Sequence, residues 1–295
     1  SCRHRRLQFA RGGSSQGSKS VHVDNAKKLL GLAMDSINDT ALTREDGNAE
    51  LWHTIFALGH PALKKQHRLH RLLPRDPRCR LCLAPFAGLG GWWLGRRGKQ
   101  PSSRNPHYCA ACDGFLETFP GGAEVEMSLL FVDIRNSTRF ATQHSPAEVS
   151  QRVNAFLDAA TKTITDHDGF LLAFYGDCIV AVWPPGFSGP DHAAKALAAA
   201  RDLIKPDLCH GAGADVSVGV GLHCGTVYIA TVAAAKGLFR DISIFGENVN
   251  LCARLASAAP PGNVVASTAT AAKGPVVKRD LKGFDSAVET ITIGA

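Results

Sequence analysis

Apolar residues in the second half of the chain fall alternately into strand-like runs and helical spacings. The run from Met127 to Val132 predicts a strand buried on both faces, which ends at Asp133. The capping-box sequence Ser145-Pro146-Ala147-Glu148 then begins a helix with apolar residues every three or four positions. Two further apolar runs flank Gly176-Asp177, a dipeptide that predicts a β-hairpin turn.

After the hairpin, an Ala-rich segment from Asp191 to Ile204 predicts a second helix, and residues 215–222 and 227–232 predict two strands. Strand, helix, hairpin, helix, strand is the order of the ferredoxin-like βαββαβ arrangement. We therefore expect an α+β fold, an antiparallel sheet with helices covering one side. In that topology the first strand lies beside the hairpin, so Asp133 and Asp177 are expected to converge.

The residues before this domain follow a different pattern. Residues 1–20 are basic and rich in Gly and Ser, which predicts a disordered lead-in. Residues 21–74 show helical spacing, broken or kinked at Pro61. Residues 75–119 form a loop-rich stretch with four cysteines, and we expect the main domain to span residues 123–295.

Charge is divided unevenly between the two halves. Residues 1–122 carry a net charge of +10 and residues 123–295 a net charge of −3. The basic half, with Trp92 and Trp93, raises the alternative of a zinc-dependent nucleic-acid binder, but a solvated surface is the favoured interpretation. No apolar run approaches the roughly 18 residues that cross a bilayer, so we expect no membrane span.

Four of the nine cysteines form two C-x2-C pairs, Cys79 with Cys82 and Cys109 with Cys112. Four thiolates can bind one tetrahedral ion, and a segment too small for its own core gains folding energy from that ion. A zinc-ribbon-like site is the first prediction, while an iron–sulfur centre uses the same ligands and stays open. Such pairs, without a secretory signal, favour a reducing, cytoplasmic compartment.

Carboxylates at adjacent strand ends are typical ligands of hard cations such as Mg²⁺, which complete their shells with phosphate oxygens. Asp133 and Asp177 are therefore candidate metal ligands. The residues after Asp133, namely Asn136, Ser137 and Thr138, are expected to place backbone N–H groups where a polyphosphate binds.

Residues 123–295 resemble the catalytic domain of class III nucleotidyl cyclases, the adenylyl and guanylyl cyclase family. The segments FVDIRNST and FYGDCIVA resemble its two metal motifs, and GVGLHCGTV, with His223, resembles a Gly-x-His-x-Gly segment. The most specific match is RDISIFGENVNLCARL. The resemblance implies two Mg²⁺ or Mn²⁺ ions per active site, held by Asp133 and Asp177.

Further roles follow from the same resemblance. Asn250 orients the ribose and Arg254 stabilises the transition-state phosphate; on a helix these residues, four apart, share one face. Lys282 lies in a segment similar to the late motif near the triphosphate. Ala173 stands where the family has a purine-reading lysine, and Ser243 occupies the partner position, where many bacterial adenylyl members have Thr or Ser.

These features together predict a purine-nucleotide cyclase that converts ATP to cyclic AMP and pyrophosphate in intracellular signalling, with GTP as the alternative substrate. The resemblance implies a homodimer with shared sites, in which Asp133 and Asp177 come from one subunit and Ser243, Asn250 and Arg254 from the other. Ala173 keeps open a cyclase-like module that binds nucleotide or dimerises without turnover.

Overall fold

A computed structural model of the chain describes residues 47–73, 77–135, 142–209, 216–235 and 239–294. The predicted lead-in and the first part of the predicted helical region lie outside these residues. Within them, no helix is both long enough and apolar enough to cross a membrane.

The helices are α1 (Ala49–His53, continued by a π-helical turn at Thr54–Leu58), α2 (Pro61–Arg71), α3 (Gly88–Leu94, continued by a π-helical turn at Gly95–Lys99), α4 (Ala110–Thr118), α5 (Pro146–Asp166), α6 (Pro185–Ser188), α7 (His192–Leu203), α8 (Pro206–Cys209) and α9 (Glu247–Ala258). The strands are β1 (Gly122–Ile134), β2 (Phe170–Tyr175), β3 (Cys178–Trp183), β4 (Val218–Ala234), β5 (Phe239–Phe245), β6 (Asn263–Ser267), β7 (Val276–Arg279) and β8 (Val288–Gly294).

Four strands build the predicted ferredoxin-like core, in the order β2-β3-β1-β4. All three neighbouring pairs are antiparallel, which confirms the α+β prediction. Beyond β4 the sheet continues with β6, which is parallel to β4, and then with β8 and β7. The other half of β4 pairs with β5.

Local sequence signals placed most elements of this core correctly. The capping box is present: the Ser145 hydroxyl accepts from the Glu148 backbone N–H, and Glu148 Oε2 accepts from the Ser145 backbone N–H at 2.8 Å. The two strands predicted after α7 are instead the single strand β4, because β1 pairs with it continuously from Gly122 to Ile134. The loop-rich Cys segment contains α3 and α4, so its helical content was underestimated.

Both faces of the sheet are covered, whereas helices were predicted on one side only. The first face packs against α5 and α7, with Phe156 and Leu203 fully buried. The second face packs against residues 47–73 and 77–119, which we call the N-terminal region. Trp52 is fully buried there, and its indole N–H donates to the Phe119 carbonyl at 3.1 Å. The apolar residues on both faces of β1 reflect this double burial.

Candidate active site and metal centre

Asp133 and Asp177 lie side by side at one end of the sheet. Asp133 is opposite Cys178 in the β1–β3 ladder, and Asp177 directly precedes Cys178 in the hairpin turn. Gly176 begins that turn with a φ of 64°, a backbone conformation that favours glycine. Burial raises the pKa of Asp133; the positive charge of Arg135 lowers it, and the negative charge of Asp177 raises it again. A divalent cation would relieve this repulsion, so the pair fits hard metal ions.

Arg135 connects this acidic pair to helix α9. Its Nη1 lies 3.2 Å from Asp133 Oδ2, and its Nη2 donates to the carbonyl of Ala256 in α9. A β-carbon at Gly219 would lie 2.2 Å from the guanidinium, so Gly219 leaves room for Arg135 in this position. Sequence reasoning missed Arg135, although it stands two residues after the predicted metal ligand.

Helix α9 presents Asn250 and Arg254 to solvent, four residues apart on one face. The opposite face is buried on the sheet, where the Cys252 thiol donates to the Leu129 carbonyl at 3.3 Å. A β-carbon on Gly221 would lie 2.3 Å from the Ala256 nitrogen, so this glycine lets the helix approach β4 closely. The packing therefore fixes the direction in which the two polar side chains point.

His223 holds the first turn of α9 against β4. Its Nδ1 lies 2.7 Å from the Ser267 hydroxyl, and its Nε2 lies 2.8 Å from Asn248 Oδ1. Asn248 in turn donates from Nδ2 to the Thr226 carbonyl at 2.8 Å. An amide oxygen only accepts, so Nε2 of His223 carries the proton. Burial lowers the pKa of His223, although the hydrogen bond with Asn248 raises it in part.

The remaining predicted site residues lie on strands and turns. Ala173 lies on β2, and Ser243 lies on β5, where it pairs with Ala230 of β4. Both residues are half-buried. Lys282 is exposed in the connection between β7 and β8; the preceding Leu281 packs in a small apolar cluster with Leu255 of α9. The predicted phosphate-binding residues Asn136, Ser137 and Thr138 lie outside the described residues.

The four predicted cysteines meet in one buried cluster. The sulfur atoms of Cys79, Cys82, Cys109 and Cys112 all lie within 4.8 Å of one another. The Cys82 and Cys109 sulfurs are 3.7 Å apart, far beyond the bond length of about 2.05 Å in a disulfide. Zinc–sulfur bonds of about 2.3 Å in a tetrahedron give a separation of about 3.8 Å. Burial raises the pKa of Cys79 and Cys112, so a bound cation is needed to keep these thiols ionised, and the cluster fits a metal ion.

Basic residues surround this cluster. On α2, His67 Nε2 donates to the Leu81 carbonyl at 2.8 Å and His70 Nδ1 to the Cys82 carbonyl at 2.6 Å. Lys99 Nζ lies 3.6 Å from Cys82 Sγ. Burial lowers the pKa of Lys99, but the charges of the four cysteines raise it by more. No sequence motif marks these two histidines, because their partners are backbone carbonyls.

Comparisons with known proteins agree with this geometry. The family described as "Adenylate and Guanylate cyclase catalytic domain" matches residues 123–284. An adenylate cyclase from Anabaena cylindrica is 31% identical over 134 residues, which cover 44% of this chain and 26% of that protein. An uncharacterised protein from Mycobacterium tuberculosis is 32% identical over 155 residues, 51% of this chain and 26% of that protein. The chain thus spans only about a quarter of the length of these curated relatives.

Two solved structures share the fold. The adenylyl cyclase CyaB from P. aeruginosa superimposes with a TM-score of 0.52 at 22% identity, covering 57% of this chain and 93% of that one. The guanylate cyclase domain of RhGC from Catenaria anguillulae, in complex with GTP, gives a TM-score of 0.51 at 21% identity and covers 58% of this chain and 98% of that one. A structure named as an adenylyl cyclase and one named as a guanylate cyclase therefore both share this fold.

Proposed function

Because this chain belongs to the adenylate and guanylate cyclase family and carries its nucleotide cyclase catalytic domain, we propose that it converts ATP to cyclic AMP and pyrophosphate. The observation that supports this most strongly is the juxtaposition of Asp133 and Asp177 at adjacent strand ends. A surface turn explains one strand-end aspartate. A second aspartate whose negative charge raises the pKa of the first is typical of a metal site.

Asp133 and Asp177 would hold two Mg²⁺ or Mn²⁺ ions, which when bound activate the ribose 3′-hydroxyl and neutralise charge on the triphosphate. The chain's own residues position the reactants. Arg254 offers a planar fork of N–H donors to the phosphate oxygens on which charge develops, and Asn250 hydrogen-bonds the ribose. The 3′-hydroxyl gives up its proton to solvent and its oxygen bonds to the α-phosphorus, while the bond from that phosphorus to the oxygen bridging to the β-phosphate breaks and pyrophosphate leaves. Catalysis is mostly positioning and charge neutralisation.

The proposed preference for ATP rests on Ser243, since this position resembles that of many bacterial adenylyl members of the family, which have Thr or Ser there, rather than that of guanylyl members. The relative from Anabaena cylindrica named as an adenylate cyclase supports the same choice. Ala173 has no donor for a purine ring atom, so we expect the preference over GTP to be small. Lys282 is the proposed contact to the triphosphate, as are backbone groups of residues 136–138.

We propose a homodimer in which each active site is shared between chains. Asn250 and Arg254 are exposed on α9, where they are available to a second subunit. Large exposed aromatic side chains lie both on β2 and on the β4–β5 pair, and exposed aromatics are typical of interfaces. They are Phe174, Tyr175, Tyr228 and Phe245. In a twofold dimer, two different patches of this kind can bind each other twice.

The four-cysteine cluster is proposed to bind one zinc ion that holds the N-terminal region in its fold. An iron–sulfur centre is the alternative with the same ligands.

A second candidate is a cyclase-like module that binds nucleotide without turnover, and the observation that favours it is Ala173 at the lysine position. One assay separates the two. The purified chain is incubated with ATP or GTP and Mn²⁺, and cyclic product is sought by mass spectrometry, with Asp177→Asn as the matched control. Product from the wild type alone supports the cyclase. No product from a wild type that binds 3′-deoxy-ATP in a calorimetric titration supports the second candidate.

A further inference from the structure

The two strands that carry the proposed base-contacting positions lie at edges of the sheet. Among the described strands, β2 pairs only with β3, and β5 pairs only with β4. Edge strands leave one row of backbone groups unpaired and open more readily than central strands. The positions of Ala173 and Ser243 therefore depend on whatever else holds β2 and β5.

Arg80 holds β2 at an irregularity in its pairing. Leu171 pairs with Ala181 and Ala173 with Val180, so Leu172 is an extra residue that forms a β-bulge. Arg80 Nη1 donates to the Leu172 carbonyl at 2.9 Å. A bulge reorients the side chain that follows it, and here that side chain is Ala173.

The same guanidinium reaches β5. Arg80 Nη1 lies 3.9 Å from Asp241 Oδ2, and the Arg80 side chain is only 11% exposed. The Tyr108 hydroxyl donates to Asp241 Oδ1 at 2.6 Å. Asp241 stands two residues before Ser243. Arg80 and Tyr108 therefore join other side chains of the N-terminal region that contact β5, such as Asn105, whose Nδ2 donates to the Arg240 carbonyl at 2.6 Å, and His107, whose Nδ1 lies 3.9 Å from Asp241 Oδ2.

Arg80 and Tyr108 both belong to the cysteine knuckles. Arg80 lies between Cys79 and Cys82, and Tyr108 directly precedes Cys109. The two knuckles are joined by a hydrogen bond of 2.9 Å from the Arg80 backbone N–H to the His107 carbonyl. A metal ion on the four thiolates would fix this arrangement, because so small a segment depends on the ion for its fold.

We propose that Arg80 and Tyr108 are positioning residues that couple the metal-bound cysteine cluster to the nucleotide site by holding β2 and β5 in place. This proposal rests on the proposed function for its consequence, namely nucleotide affinity and base selectivity. Its structural part, the anchoring of two edge strands, is testable without any nucleotide. Loss of the metal should loosen both strands and weaken nucleotide binding together.

The experiment compares four single-substitution variants of this chain with the wild type. Arg80→Met removes the charge and donors but keeps the length, and Arg80→Lys keeps one charged donor. Tyr108→Phe removes only the hydroxyl. Arg97→Met is the matched control, because Arg97 stacks on Trp93 in the same region, with its guanidinium carbon 3.6 Å from the ring centre. Each protein is first checked for zinc content and for its thermal unfolding midpoint.

Two readouts follow. Hydrogen exchange by mass spectrometry, without nucleotide, reports on peptides covering β2 and β5, with β1 as the internal reference. Calorimetric titration with 3′-deoxy-ATP or 3′-deoxy-GTP and Mn²⁺ measures binding without turnover. We expect Arg80→Met to speed exchange in β2 and β5 and to raise the dissociation constant about three- to tenfold, since it removes a charge-assisted hydrogen bond. Arg80→Lys should recover part of both effects, and Arg97→Met should resemble the wild type.

The proposal is overturned if the amides of β2 and β5 exchange as slowly in Arg80→Met and Tyr108→Phe as in Arg97→Met. It is equally overturned if these two variants bind 3′-deoxy-ATP as tightly as Arg97→Met does. It is also overturned if chelation of the metal leaves exchange in these two strands unchanged. A wild type that binds no nucleotide would instead sink the proposed function, and the exchange data would still decide whether Arg80 anchors the strands.

Discussion

Asp133 and Arg135 form an ion pair at the end of β1, with 3.2 Å between Oδ2 and Nη1. Since the same guanidinium donates to the Ala256 carbonyl, the acidic end of the sheet is tied to the helix that carries Asn250 and Arg254. Arg135 thereby partly balances the charge of Asp133 when no cation is bound.

Asp133→Asn and Asp177→Asn are each predicted to abolish formation of cyclic product. An amide lacks the anionic oxygen that a hard cation requires. Both sites are at least partly exposed, so the fold should survive, and circular dichroism and the thermal midpoint provide the control. Near-normal turnover in either variant would show that the two-metal assignment is wrong.

Ala173→Lys is predicted to increase the preference for ATP over GTP. The new ammonium group offers a hydrogen bond to a purine ring acceptor, worth about 0.5–1.5 kcal/mol, or about two- to tenfold in relative kcat/KM. The ratio is measured with both nucleotides in competition. Ala173→Met, similar in length but without a donor, is the control. If lysine and methionine gave the same ratio, position 173 would not face the base.

The sequence predicted the ferredoxin-like core because each of its signals is local. The capping box at Ser145 and the turn at Gly176 act within four residues. An apolar run predicts a buried strand whichever strand it pairs with. The cover on the second face was not predictable in this way. It depends on contacts across long sequence separations, such as that between Trp52 and Phe119.

The residues of the candidate site likewise fall into those that the sequence reveals and those that only the folded chain reveals. Asp133, Asp177 and the four cysteines were recognisable because a metal site needs those side-chain types at strand ends or in close pairs. Arg80, Arg135 and His70 were not, because each donates to a backbone carbonyl, of Leu172, Ala256 and Cys82 respectively. Any residue type supplies such a carbonyl, so only the folded chain reveals these interactions.

The cysteine cluster is predicted to retain about one zinc per purified chain. Cys82→Ser and Cys112→Ser should lower that ratio and destabilise the N-terminal region, whereas Cys209→Ser, at a buried cysteine outside the cluster, should not affect metal content. Elemental analysis gives the ratio directly. A chain free of metal would contradict the site, and a visible absorption band lost on oxidation would indicate iron and sulfide instead.

Acid is predicted to destabilise the protein, in part through His223. Burial lowers the pKa of His223 in the folded protein from its ordinary value of 6.5. Below that value the unfolded chain binds more protons than the folded one, so the free energy of unfolding falls as the pH falls. His67, whose pKa burial also lowers, contributes with the same sign.

Urea unfolding at pH 7.5 and pH 5.5 measures this effect. His223→Gln should be less stable at both pH values but should lose less stability between them than the wild type. His53→Gln, at an exposed histidine on α1, is the matched control. Equal losses in the wild type and in His223→Gln would exclude a contribution from His223.

The central claim, a cyclase whose active site combines the acidic pair of one chain with helix α9 of another, is tested most directly by mixing two inactive variants. Asp177→Asn and Arg254→Ala chains are co-expressed with different tags, mixed dimers are isolated, and cyclic product from ATP and Mn²⁺ is measured beside the wild type. One site of each mixed dimer then carries neither substitution, so isolated mixed dimers should recover about half of wild-type activity. Mixed dimers as inactive as their parents, beside an active wild type, would contradict the shared site, and an inactive wild type would contradict the cyclase itself.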